Sequence, residues 1–156
     1  MAYIEDILPG LKEGTHKLKT VNLADATILR TDEEFTYIGS VTATDEKFVF
    51  VAPTVCVITK AYFVNDATIA AHNSNYWTVQ LTNKTQSNNL AATAQNTTIA
   101  TGTAITANTV WDLSVDQNLT MAAGDVLEMV FTKSASATSL SEAVAVVIYT
   151  VGATAS

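Results

Sequence analysis

Tyr76-Trp77-Thr78-Val79-Gln80-Leu81-Thr82 is the stretch whose reading decides the fold. Its large apolar side chains stand at every second position, Trp77, Val79 and Leu81, with Thr78 and Gln80 between them. A period of two puts alternate side chains on opposite sides of an extended chain, so this is a strand with Trp77, Val79 and Leu81 facing inward. The same alternation returns over 110–116, with Trp111, Leu113 and Val115 inward and Asp112, Ser114 and Asp116 outward. Segments 125–132 and 143–151 add two more strands. Phe48-Val49-Phe50-Val51 and, beyond Pro53, residues 55–64 are apolar on both faces, which predicts central strands. Weaker candidates are 36–42 and 97–104.

Turn-forming residues punctuate these runs: Asn65-Asp66, His72-Asn73-Ser74-Asn75, 83–89 and Ala123-Gly124-Asp125. Segment 133–141 is small and polar, as a loop would be. Threonine supplies 25 residues and alanine 23, and Val, Ile and Thr together 50. β-branched side chains suit pleated strands and cost helices rotamer freedom. The expected fold is all-β: an antiparallel β-sandwich, a jelly roll of about eight strands, over residues 36–156.

Residues 1–35 read differently. Ile4, Ile7, Leu8 and Leu11 keep helical spacing, but Pro9-Gly10 stops the run within two turns. A polar stretch with Lys12, Glu13, His16, Lys17 and Lys19 follows. The apolar residues are too sparse for a core of their own. The segment is expected to be an irregular N-terminal arm that packs on the domain or reaches a neighbour.

The chain has 156 residues, enough for one domain that buries about 68% of its unfolded surface without disulfides or metal. Eight Lys and Arg stand against 15 Asp and Glu, a net charge of −7. The basic residues are scattered, and nucleic-acid binding needs them clustered, so nucleic acid is excluded as a partner. The start, Met1-Ala2-Tyr3-Ile4-Glu5-Asp6, is acidic where a signal peptide is basic. No apolar run approaches the ~20 residues of a membrane span. The expectation is a protein made in the cytoplasm with no membrane partner.

Catalytic motifs are scarce. Cys56 lies between Val55 and Val57, where a thiol acts as a small hydrophobe. Two histidines, His16 and His72, and one cysteine make a poor zinc set. Asp112-x-Ser114-x-Asp116-x-Asn118 imitates the start of a calcium loop, yet Gln117 replaces its glycine and Ala123 its closing glutamate. A wet strand face explains the same acids. Asp125 and Glu128 are the nearest approach to a carboxylate pair for glycoside hydrolysis. Glu33-Glu34 and Asp45-Glu46 read as solvated charges. No Gly-x-Ser-x-Gly elbow or glycine-rich phosphate loop occurs. No catalytic, cofactor-binding or metal-binding residue is expected, and the chain is read as no enzyme. Trp77 and Trp111 sit in the inward phase and are expected in the core rather than on a sugar platform.

The most distinctive run is 116–133, Asp-Gln-Asn-Leu-Thr-Met-Ala-Ala-Gly-Asp-Val-Leu-Glu-Met-Val-Phe-Thr-Lys. Together with 57–64 and 76–83 it resembles the capsid decoration (cement) proteins of tailed bacteriophages. The likeness covers about residues 47–151 and rests on a strand, an Ala-Gly-Asp turn and an apolar strand. It implies a virion structural protein on the outside of the head, a homotrimer, with the major capsid protein as its partner. It further implies that the arm grips the shell, with Ile4, Ile7, Leu8 and Leu11 as capsid-binding residues, and that synthesis is in the host cytoplasm. The competing expectation is a carbohydrate- or receptor-binding sandwich module of a phage fibre, which needs exposed aromatic side chains.

Overall fold

A computed structural model describes residues 30–116 and 120–152. Every long regular element among them is a strand: β1 (Arg30–Val41), β2 (Asp45–Val51), β3 (Cys56–Val64), β4 (Trp77–Asn83), β5 (Asn88–Asn89), β6 (Gln95–Asn96), β7 (Trp111–Asp112), β8 (Thr120–Met121), β9 (Val126–Lys133) and β10 (Leu140–Val151). The first sheet runs β1-β10-β3-β7, with β8 also on β3. The second runs β2-β9-β4-β5, with β6 also on β4. All pairings are antiparallel.

β5 and β6 share one flank of β4, and β7 and β8 share one flank of β3, so ten strands occupy eight positions, four per sheet. The first four long strands alternate between the sheets along the chain, after which β9 stays in the second sheet beside β4 and β10 returns to the first. This is a jelly-roll β-sandwich, the fold that the alternation predicts.

The core lies between the sheets. Trp77, Val79 and Leu81 of β4 and Leu127, Met129 and Phe131 of β9 face Cys56, Ile58, Ala61 and Phe63 of β3 and Ala143, Ala145 and Val147 of β10. Phe63 joins the two layers, its ring centroid 5.6 Å from Phe131 and 6.3 Å from Trp111. Each of the Val, Leu, Ile, Met and Phe side chains among them contributes about 1.5–3 kcal/mol through the apolar surface it removes from water.

Three strands depart from the sequence expectations. β1 begins at Arg30, so residues 30–35 of the expected arm belong to the first sheet, paired along β10. The rest of the arm, including Ile4, Ile7, Leu8 and Leu11, lies outside the described residues. β2, expected at the centre, is an edge strand among the described residues, bonded there only to β9. A register shift between Phe48 and Phe50 puts Val49 and Phe50 both in the core and leaves Phe48 and Val51 outside. β7 stops after two residues of the predicted 110–116. The Asp112 carboxylate accepts the Ser114 N–H at 2.7 Å, and Ser114 turns to φ +53°, which ends the pairing while Leu113 stays buried. Segment 97–104 likewise forms a turn, and only Ile105 bridges, to Ile69.

Candidate interaction surface

Among the described residues β1 pairs only with β10 and β2 only with β9, so neither strand has a described partner on its other edge, and the two edges lie on the same side of the sandwich. Thr36 Oγ1 donates to the Val49 carbonyl at 2.7 Å and ties the two edges together. Beside this bridge lies a cleft of about 470 Å³ lined by Glu34, Thr36, Phe48, Val49, Phe50, Val51, Pro53 and Tyr149. Its floor is the contact of the Phe50 and Tyr149 rings, 4.7 Å apart. Phe48 is 66% exposed and Val51 58%, unusual for side chains of that size on one rim. Burial, reinforced by the charges of Asp32 and Glu34, pushes the Tyr149 phenol up from its ordinary value. Among the described residues, the cleft is lined mainly by apolar and aromatic side chains, with Thr36 and the Glu34 carboxylate as polar members.

A second apolar surface is the outer side of the first sheet. Cross-strand pairing sets its rows: Phe35–Val146–Tyr62, Tyr37–Val144–Val64 and Glu33–Ile148–Lys60. Val146 is buried yet lies outside the core cluster, as expected of a residue covered by its neighbours on the outer face. Phe35 is 63% exposed and Tyr37 66%. The Tyr37 hydroxyl donates to the Glu142 carboxylate, and that bond pushes the phenol up from its ordinary value.

The residues weighed for chemistry take structural roles. Cys56 is fully buried, and burial, with the Asp125 charge added, pushes its thiol up. The His72 Nδ1 accepts the N–H groups of Ser74 and Asn75 at 3.0 and 2.9 Å, holding the turn before β4. Asp112 and Asp116 spend carboxylate oxygens on the Ser114 and Ala92 N–H groups, each at 2.7 Å. No group of three His, Cys, Asp or Glu able to hold a metal ion occurs among the described residues.

Asp125 and Glu128 are both buried but do not act as a pair. Asp125 Oδ2 accepts from Asn83 Nδ2 at 3.0 Å, from the Ala122 N–H at 2.9 Å and from Gln86 Nε2. It thereby locks the Ala-Gly-Asp turn to the loop after β4. Glu128 points outward from β9, its Oε1 3.2 Å from Lys84 Nζ, which also meets Glu46 Oε2 at 2.8 Å. The two carboxylates therefore serve separate networks.

Both tryptophans are in the core. Trp77 Nε1 donates to the Thr138 carbonyl at 2.7 Å, and Trp111 Nε1 to Thr103 Oγ1 at 2.8 Å. Among the described residues the exposed aromatics are Phe35, Tyr37 and Phe48. Alternation hides them, because a residue in the outward phase shows nothing in sequence about what covers that side.

No protein-family model and no curated protein sequence matches this chain. Among solved structures, the cyanophage Pam1 capsid asymmetric unit contains a chain with TM-score 0.43 and 13% identity, over 92% of this chain and 99% of that one. The structure of the infectious bursal disease virus Gx strain contains another with TM-score 0.37 and 14% identity, over 79% of this chain and 32% of that one. These are distant likenesses, and the functional reading rests on this chain's own sequence and surface.

Proposed function

We propose that this chain is a non-enzymatic virion structural protein. It binds the outer surface of a tailed-phage head as a decoration protein and stabilises the contacts between capsomers. The observation that carries the reading is the side of the sandwich formed by β1 and β2: two strand edges with no partner among the described residues, around a cleft rimmed by Phe48, Val51 and Pro53. An open edge can take an extended segment of the major capsid protein through main-chain hydrogen bonds, while the cleft receives its side chains. The acids Asp32, Glu33 and Glu34 on β1 discourage indiscriminate edge pairing. The sequence likeness over 47–151 supports the same role.

In this reading Ile4, Ile7, Leu8 and Leu11 of the arm supply a second apolar contact on the shell. Two modest contacts on one rigid body bind more tightly than either alone, because the second forms at high effective concentration. Bridging a joint between capsomers adds interface that internal pressure must break before the shell opens. For self-association the resemblance implies a homotrimer, whereas the outer face of the first sheet favours a two-fold pair.

The test is co-sedimentation of the purified protein with heads and, separately, tails of its source virus. Saturable binding to heads, weakened by Phe48→Asp and Val51→Asp, is the expected result. Deleting residues 1–20 is expected to lower head occupancy, and unchanged occupancy refutes the arm contact. Binding to tails alone, or to glycan, shifts the reading to the fibre module, for which Phe35, Tyr37 and Phe48 are the exposed aromatics among the described residues.

A further inference from the structure

The outer face of the first sheet combines three features: breadth, apolarity and a paired arrangement of charge. Three strands about 4.8 Å apart and about 9–12 residues long, at about 3.3 Å per residue, present roughly 430–570 Å². That approaches the ~800 Å² per partner typical of a stable interface. Phe35, Val146 and Tyr62 cross the face in one row, and Tyr37, Val144 and Val64 in the next. On the other side of the Phe35 row lies Glu33–Ile148–Lys60, with opposite charges on its two flanks. Both are exposed, and neither makes an ion pair among the described residues.

We propose that two copies of this chain pack face to face through this sheet, about a two-fold axis that lies in the interface and runs along β10. That operation exchanges left and right flanks within each row. β1 of one copy then covers β3 of the other, with Phe35 against the partner's Tyr62 and Tyr37 against the partner's Val64. Val146 meets its own counterpart near the axis. Glu33 comes opposite the partner's Lys60, and by symmetry the pair forms twice. A two-fold across the strands lays β1 on β1 and β3 on β3 instead, so that Glu33 and Lys60 no longer come opposite each other. Sheets packed in this way sit about 10 Å apart, close enough for the outward side chains to interdigitate. The open edges and cleft at β1 and β2 stay at the side of the pair, so the pairing does not depend on head binding.

The experiment is sedimentation equilibrium on the full-length chain, with Glu33→Lys, Lys60→Glu and the double exchange as variants. The far-UV spectrum of each confirms that it is folded. The expected species is twice the 16.6 kDa chain mass. Each single reversal places like charges together and is expected to weaken association by about tenfold or more, with the double exchange restoring it. A monomer at all concentrations overturns the pairing and leaves residues 1–29 or another protein to cover the face. A trimer, or an assembly indifferent to the reversals, overturns it equally. Neither result bears on binding to heads.

Discussion

A single methyl group at Gly102 tests the packing of the turn that follows β6. A Cβ built there falls 2.1 Å from the Asn96 carbonyl oxygen and 2.2 Å from Asn96 Oδ1, whereas real Cβ contacts stay above 3.0 Å. One side must therefore move by roughly 0.9 Å, a local overpacking that typically costs about 1–3 kcal/mol. Asn96 has little freedom to retreat. Its carbonyl accepts the Thr103 N–H at 3.0 Å, and its Oδ1 accepts the Thr98 N–H at 3.0 Å and the Thr98 hydroxyl at 2.6 Å. Its backbone is paired with Thr78 in β4. Relief that breaks one of these bonds adds about 0.5–1.5 kcal/mol, and the lower chain entropy of unfolded alanine offsets about 0.4–1 kcal/mol. The net expectation for Gly102→Ala is a loss of about 2–3 kcal/mol.

The assay is urea unfolding followed by tryptophan fluorescence. With a slope of about 1–3 kcal/mol per molar, the midpoint is expected to fall by about 1–2 M. Gly124 supplies the contrast: its φ is +87°, and nothing lies within 4 Å of an added Cβ. Gly124→Ala is expected to cost about 1–2 kcal/mol through backbone conformation alone, and Gly124→Asn less, because asparagine tolerates the left-handed region. At Gly102 asparagine is expected to do worse than alanine. An unchanged midpoint for Gly102→Ala, or rescue by asparagine at that position, refutes the contact argument.

Three further outcomes follow from the interior. Asp125→Ala removes the acceptor shared by Asn83, Gln86 and the Ala122 N–H, and a loss of about 2–4 kcal/mol is expected in the same urea assay. Iodide is expected to quench the native tryptophan fluorescence weakly and the unfolded fluorescence strongly, since Trp77 and Trp111 are buried; equal quenching would contradict the core placement. Stability is expected to decline in alkali. Cys56, Tyr37 and Tyr149 all have folded-state values raised above the ordinary ones, so the folded chain keeps protons that the unfolded chain releases. Their contribution is fully present below the ordinary thiol and phenol range of about 8.5–10 and is lost as pH rises through the raised values. Thermal melts from pH 8 to 11 measure this, and a melting temperature that climbs over that range reverses the sign.

Much of the interior was legible in the chain because alternation is a local property. Trp77, Val79, Leu81, Trp111 and Leu113 read as inward and are inward, and Cys56 read as a buried hydrophobe and is one. A strand's two faces differ every second residue whatever lies beyond them, so a short stretch suffices to assign the side that meets the core. Only the tertiary structure decided which strands end a sheet. Phe48-Val49-Phe50-Val51 carries the composition of a central strand, yet among the described residues β2 has a neighbour on one side only, and a one-residue register shift turns Phe48 and Val51 outward.

The interaction surfaces depend on that same long-range pairing. Phe35, Val146 and Tyr62 lie far apart in the chain and become one row only when β1 and β3 both choose β10. Glu33 and Lys60 flank the same apolar residue for that reason alone. Strand pairing is set by hydrogen bonds between distant backbone segments and by bulges such as the one at Thr59, between the Lys60–Ile148 and Ile58–Tyr149 pairs. The period of a strand carries no information about its partner, so the core was written locally and the surface that a second molecule meets was not.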